Sequence, residues 1–131
     1  LLDFGLRIGT AYQVYDDCID LIGDEQEYGK TLRTDLHKGK LTLPILNLLG
    51  SATERQREKL HKLLLQREPI DLPALASIAD YVGAIESAID TGQELVAEAR
   101  KLLLILPASE HRAALGGIAD FLDLLLQGCR Q

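Results

Sequence analysis

The feature that most constrains the fold is a helical repeat of apolar residues at the start of the chain. They recur at spacings of four, four, three, four and three positions, at Phe4, Ile8, Tyr12, Tyr15, Ile19 and Ile22. Such spacing places these side chains on one face of an α-helix. The pattern predicts a helix over residues 2–22 that ends near Gly23, with Tyr12 and Tyr15 in the core. Gly5 and Gly9 each cost about 1 kcal/mol of helix propensity relative to Ala, and we interpret them as points of close helix packing.

Helix start and stop signals follow along the rest of the chain. Capping residues, early prolines and terminal glycines predict five more helices, over about 42–50, 51 or 53 to 66, 71–81, 84–106 and 109–127. The capping box of the second of these is either Ser51 with Glu54 or Thr53 with Gln56. Aromatic residues make up 5% of the chain, and its 47% of hydrophobic residues is ample for a core. The predicted fold class is all-α, a helical bundle or part of one, in a single segment covering residues 1–131.

Bulk charge and cysteine content exclude several classes of protein. A net charge of −6 argues against nucleic acid as the main partner. No apolar run reaches the ~18 residues of a transmembrane segment. Cys18 and Cys129 are too far apart in sequence for a zinc motif or a disulfide framework, so a reduced, cytoplasmic setting is expected. The sequence has no methionine, and we interpret it as the later part of a longer protein.

Three aspartates stand close together near the end of the first predicted helix, in the segment QVYDDCIDLIG. Gln13, Asp16, Asp17 and Asp20 are three or four positions apart, so their side chains share one patch of the helix. Like charges at this spacing destabilise a helix by about 0.2–0.5 kcal/mol per pair, whereas a bound Mg²⁺ reverses that sign. Taken alone, the cluster fits a solvated acidic face and a metal site equally well.

The sign of the charge changes in the segment that follows. Residues 16–27 carry six acids and no base, while residues 30–40 carry four bases (Lys30, Arg33, Lys38 and Lys40) against Asp35. We predict that residues 24–40 form a long functional loop. Carboxylates that hold a metal, followed by cations that neutralise phosphate, suit a metal–diphosphate complex.

Three segments in order resemble a known family. GTAYQVYDDCID at residues 9–20, GK at 29–30 and DLHKGKLTLP at 35–44 are similar to the second half of trans-isoprenyl diphosphate synthases, the polyprenyl synthetases. The closing residues 81–115, with their Leu-Pro junction, also resemble this family. The resemblance implies an all-α fold around a deep cavity, with two aspartate-rich motifs on facing helices. Together the motifs hold about three Mg²⁺ ions against the diphosphate of an allylic substrate.

The implied reaction is prenyl transfer in isoprenoid biosynthesis. The diphosphate leaves dimethylallyl, geranyl or farnesyl diphosphate, and the double bond of isopentenyl diphosphate attacks the resulting allylic cation. A proton is then lost. By the same resemblance, Asp16 and Asp20 bind Mg²⁺ as the second aspartate-rich motif, and Asp17 orients that motif or binds the metal through water.

The resemblance also implies roles for residues around the aspartates. Lys30 contacts the allylic diphosphate, and Gln13 lines the pocket near the reacting carbons. Asp35 supports the metal shell through water, and Lys40 lies at the pocket rim. Arg130 corresponds either to a basic end that closes over the second substrate in some members or to a frayed terminus.

The first aspartate-rich motif and the isopentenyl diphosphate site of the family have no counterpart in this sequence. The chain therefore carries half of an active site, and we predict that it does not catalyse prenyl transfer alone. The family is usually homodimeric. The alternative function is a non-catalytic synthase-like subunit that binds and regulates a complete prenyl synthase, although such subunits often lose the aspartates that are intact here.

Overall fold

The fold is an assembly of α-helices, seen here in a computed structural model that describes residues 1–22, 41–65 and 72–130. The helices are α1 (Leu2–Ile22), α2 (Leu43–Ser51), α3 (Glu54–Leu64), α4 (Leu72–Ile78), α5 (Tyr81–Leu103) and α6 (Glu110–Gly128). Every regular element in these three ranges is a helix, which confirms the all-α prediction. The predicted loop over 24–40 and the predicted ends at Gly23, Gln66 and Asp71 lie outside the described residues.

Side-chain caps account for where three helices begin. Thr53 forms the predicted capping box with Gln56 at the start of α3, and Ser109 Oγ accepts the backbone N–H of Arg112 at the start of α6. Asp80 Oδ1 accepts the backbone N–H of Gly83 at 2.9 Å, so α5 begins at Tyr81, three residues before its predicted start at 84. Because Asp80 serves as this cap, α4 ends at Ile78 instead of continuing to 81.

Helix α5 lies between α1 and α6 and runs antiparallel to both. Arg7 near the start of α1 is 3.1 Å from Glu98 near the end of α5. Near the end of α6, Gln127 accepts a hydrogen bond at 3.2 Å from Gln93, earlier in α5. It follows that α1 and α6 run parallel to each other and that their ends lie beside the first half of α5.

The three long helices meet at close range at Gly92 of α5. A Cβ atom placed there would lie 3.0 Å from Leu126 Cδ2 of α6 and 3.5 Å from Val14 Cγ1 of α1. Gly92 itself is buried. The missing side chain therefore allows α1 and α6 to pack against the same turn of α5.

The core-facing side of α1 follows the predicted apolar stripe except at Tyr12: Phe4 and Ile19 are buried, and Ile8, Tyr15 and Ile22 pack against the core. Ala11 and Cys18 are fully buried and Val14 is 5% exposed, whereas Tyr12 is 54% exposed. The prediction that Tyr12 lies in the core is therefore wrong, while Tyr15 does pack against the core as a half-buried residue. Smaller side chains, Ala11, Val14 and Cys18, lie among the buried residues where α1 meets α5 and α6, a position that hydrophobic spacing alone does not reveal.

Gly5 and Gly9 also differ from the prediction. No atom lies within 4 Å of a Cβ built at either position, so within the described structure neither glycine is a point of close helix packing. Both lie on the exposed side of α1, near Leu2 and Leu6, which are 77% and 59% exposed.

A smaller apolar cluster joins α2, α3 and α4. Leu48, Leu60 and Leu75, one from each helix, are buried in it together with Ala84 of α5. This cluster attaches the short helices to the central helix. Among the helices described, none combines the length and apolar character of a membrane-spanning segment.

Candidate metal site

The aspartate cluster occupies the last turns of α1, which is one continuous helix through these residues. Asp17 and Asp20 are each 7% exposed, Asp16 is half-buried and Gln13 is exposed. The four side chains of the predicted common patch therefore differ in how deeply they are buried. Gln13 and Asp16 lie toward its outer side, while Asp17 and Asp20 are nearly covered.

Gln13 holds Asp17 by a side-chain hydrogen bond. Gln13 Nε2 donates to Asp17 Oδ1 at 2.9 Å, across one turn of the helix. The bond fixes one carboxylate oxygen of Asp17 and orients the Gln13 amide along the helix. The contact lies within the motif, and the orienting role implied for Asp17 by the family resemblance stays a prediction.

Two free thiols lie behind the aspartates. Cys18 of α1 and Cys129, which follows α6, are both buried in the main core cluster. Burial and, to a smaller extent, the neighbouring charges of Cys129 and Asp17 together raise the pKa of Cys18 to about 12. Burial likewise raises the pKa of Cys129 to about 11. Both thiols are therefore protonated and act as small apolar side chains near neutral pH.

The donor chemistry of this end of α1 fits Mg²⁺. Mg²⁺ takes oxygen ligands and usually binds one or two carboxylates, completing its shell with water and phosphate. Asp16 and Asp20 are four positions apart on one continuous helix, so two carboxylates share a face, and Asp16 remains partly accessible. In the ranges that the structure describes, no three Asp, Glu, His or Cys side chains form a group suited to a metal. A carboxylate pair is thus what α1 itself supplies.

Three predicted site residues cannot be placed relative to this pair. Lys30, Asp35 and Lys40 fall in residues 23–40, outside the described ranges. Their implied contacts with the diphosphate, the metal shell and the pocket rim stay predictions.

The sequence patterns did not indicate a second polar cluster, which Arg130 forms with side chains of α5. The guanidinium of Arg130 binds the carboxylates of Glu86 and Asp90 and the amide of Gln93. Arg130 is therefore not a frayed terminal residue. The spacing of its partners, four and then three positions along α5, is a signal that marks one helix face and could have identified them.

Comparison with known proteins identifies the sequence pattern. Residues 1–82 match the family described as polyprenyl synthetase. The chain is 36% identical over 121 residues to a short chain isoprenyl diphosphate synthase of Methanothermobacter thermautotrophicus. It is 32% identical over 121 residues to octaprenyl diphosphate synthase of Escherichia coli.

A solved structure shares the fold. The crystal structure of geranylgeranyl pyrophosphate synthetase from Pyrococcus horikoshii matches 92% of this chain with a TM-score of 0.74 and 28% sequence identity. The chain spans 37% of that structure, and it spans 37% of each of the two curated relatives named above.

Proposed function

The chain belongs to the polyprenyl synthetase family, and we propose that it is the C-terminal part of a prenyl diphosphate synthase in isoprenoid biosynthesis. The proposed reaction joins an allylic diphosphate to isopentenyl diphosphate. The allylic C–O bond breaks and diphosphate leaves. A carbon–carbon bond then forms from the double bond of isopentenyl diphosphate, and a proton is released. The names of the relatives, all diphosphate synthases, support this reaction class.

The observation that carries the proposal is the geometry of the last turns of α1. Asp16 and Asp20 present two carboxylates on one helix face, and Gln13 fixes Asp17 between them. In this proposal Asp16 and Asp20 hold Mg²⁺, which when bound neutralises the charge of the leaving diphosphate. Asp17 acts by keeping the motif in position.

The remaining roles in the proposal belong to residues 23–40 and to the outer face of α1. Lys30 binds the allylic diphosphate, Asp35 supports the metal shell through water, and Lys40 lies at the rim. No protein nucleophile is needed, because stabilising the leaving group's charge is the main task of such a site. Gln13 lies one turn from Asp16 toward the apolar exposed part of α1, which suits a residue near the reacting carbons.

An assay of product formation tests this function. The full-length protein is supplied with an allylic diphosphate, labelled isopentenyl diphosphate and Mg²⁺. The expected result is a labelled prenyl diphosphate, and a loss of about a hundredfold or more in kcat in the Asp16→Asn variant, because several kcal/mol of charge stabilisation depends on the metal. Asp3→Asn is the matched control, since Asp3 is an exposed aspartate in the first turn of the same helix.

The same assay decides between the enzyme and the regulatory subunit. A full-length protein that forms no product alone, but changes the activity of a complete prenyl synthase when mixed with it, would contradict the catalytic proposal. The intact pattern of Asp16, Asp17 and Asp20 favours the enzyme.

A further inference from the structure

The Arg130 side chain donates four hydrogen bonds, and it lies outside the aspartate cluster. Its Nη1 donates to the Glu86 carboxylate, and its Nη2 donates to Asp90 Oδ1 at 2.7 Å and to Gln93 Oε1 at 2.6 Å. Its Nε donates to Gln127 Oε1 at 3.1 Å. The side chains of Arg130 and Glu86 are 27% and 30% exposed, so this pair is partly shielded from water, whereas the Asp90 side chain is 62% exposed. We call this set of contacts the Arg130 clamp.

The clamp lies at the height of the aspartate motif along the bundle. Arg7 of α1 is paired with Glu98 of α5. Val14 lies seven residues after Arg7 in α1, and it is next to Gly92, which lies six residues before Glu98 in the antiparallel α5. Six residues after Val14 is Asp20 of α1, and six residues before Gly92 is Glu86 of α5. The carboxylates that hold Arg130 are therefore level with the motif, on the same stretch of the central helix that supports it.

The residue that precedes Arg130 in sequence packs on the buried side of the motif. Cys129, directly before Arg130, is 3% exposed and belongs to the same core cluster as Cys18, which is fully buried. Cys18 stands between the motif's aspartates, next to Asp17. The last turn of α6 is thus packed behind the motif and is tied to α5 by the guanidinium.

We propose that Arg130 is a positioning residue for the second aspartate-rich motif. By fixing the end of α6 to α5, it keeps the buried side of α1 supported, so that the carboxylates of the motif keep the spacing that binds a metal–diphosphate complex. This inference rests on the proposed function. It assigns to Arg130 a role through the helix packing, with no contact to substrate.

If Arg130 acted only through its charge, its loss would change the affinity for Mg²⁺ in the direction opposite to a loss of positioning. Removing one positive charge near the motif would strengthen the attraction of the motif for a cation. Loss of positioning would instead weaken the binding of Mg²⁺. The direction of the change in the affinity for Mg²⁺ alone therefore separates the two roles.

Arg100 provides the matched control for this comparison. It also joins α5 to α6, through Asp120 at 2.8 Å and Asp123 at 3.8 Å. It lies near the opposite end of α5, away from the motif. Arg100→Gln removes the same charge and the same kind of interhelical bridge as Arg130→Gln.

The experiment is a calorimetric titration of Mg²⁺, first alone and then with inorganic pyrophosphate, into the full-length protein and its variants, together with thermal unfolding of the unliganded proteins. Arg130→Gln is expected to weaken binding about threefold to thirtyfold, in the range of coupling measured between packed sites. Arg100→Gln is expected to lower the unfolding temperature and leave the affinity unchanged. Asp90→Asn removes one partner of the clamp, and an intermediate loss of affinity is expected because Glu86 and Gln93 remain.

Each result decides the inference. If Arg130→Gln does not fold, Asp90→Asn provides the test, since Asp90 is an exposed residue of the clamp. Unchanged or tighter binding in the folded clamp variants, or an equal loss in Arg100→Gln, would overturn the positioning role while leaving the proposed function intact. A full-length protein that binds no Mg²⁺–pyrophosphate would overturn both.

Discussion

At Gly92 a hydrogen in place of a side chain lets α1 and α6 approach the same turn of α5. The chain has several other helical glycines, among them Gly5, Gly9 and Gly117, and at these three no atom lies within 4 Å of the position that a Cβ would occupy. Gly92 lies on the buried face of its helix between Ala88 and Val96, whereas Gly5, Gly9 and Gly117 are exposed. The difference arises from the packing of three helices, which residue spacing in one helix does not specify.

Substitution of these glycines by alanine is expected to have opposite effects. Gly92→Ala gains about 1 kcal/mol of helix propensity but forces Leu126 to move, and overpacking of a core costs about 1–3 kcal/mol. We expect a net loss of about 1 kcal/mol in the free energy of unfolding. Gly117→Ala, on the open side of α6, is expected to gain about 0.5–1 kcal/mol. Urea unfolding of the two variants measures both changes, and equal shifts would contradict the packing at Gly92.

The buried thiols predict how stability responds to alkaline pH. The pKa of Cys18 is raised from 9.0 to about 12 and that of Cys129 from 9.0 to about 11. Above pH 9 the unfolded chain releases these protons while the native protein keeps them, so the free energy of unfolding falls as pH rises from about 9 toward 11. The double variant Cys18→Ala, Cys129→Ala should show a shallower fall over that window. If the free energy of unfolding falls equally with pH in the two proteins, the fold does not keep the thiols protonated above pH 9.

At the scale of single helices, the sequence predicted most of what is observed. The apolar period, the capping box at Thr53 and the cap at Ser109 are local signals, and the corresponding helices begin within a residue or two of the predicted positions. The start of α5 was predicted too late, because the contact of Asp80 with the backbone of Gly83 competes with continuation of the preceding helix. Such competition between neighbouring elements is not visible in the propensity of either one.

The cap of α6 offers a test at this scale. Ser109→Ala removes the acceptor for the backbone N–H of Arg112 and is expected to cost about 1 kcal/mol of unfolding free energy. Ser87→Ala, the same change at an exposed position inside α5, is expected to be neutral or slightly stabilising because alanine is the better helix former. The pair is compared by thermal or urea unfolding, and an equal loss in both would contradict the cap.

At the scale of the whole molecule, the chain provides one side of the proposed site. The grouping of Gln13, Asp16, Asp17 and Asp20 could be predicted from the sequence because they lie within two turns of one helix. The depth of each carboxylate and the Arg130 clamp could not, since both depend on α5 and α6, which are far from the motif in sequence. The placement of Lys30, Asp35 and Lys40 beside the carboxylates stays a prediction.

The 131-residue chain alone is expected to form no prenyl product from allylic and isopentenyl diphosphates. Its sequence has no counterpart of the family's first aspartate-rich motif, so the charge of the leaving diphosphate would be neutralised from one side. Measurable turnover by the isolated chain, in the labelled product assay, would contradict the proposal that it supplies half of an active site.

The most direct test of the proposed site is the affinity of the motif for its ligand. Mg²⁺ with pyrophosphate or a bisphosphonate is titrated into the full-length protein, its Asp16→Ala variant and the control variant Asp3→Ala. We predict that Asp16→Ala weakens binding by about tenfold or more, as loss of a metal-site residue does, while Asp3→Ala binds like the unaltered protein. Equal affinity in the Asp16→Ala variant and the unaltered protein would contradict the assignment of this helix end as the metal–diphosphate site.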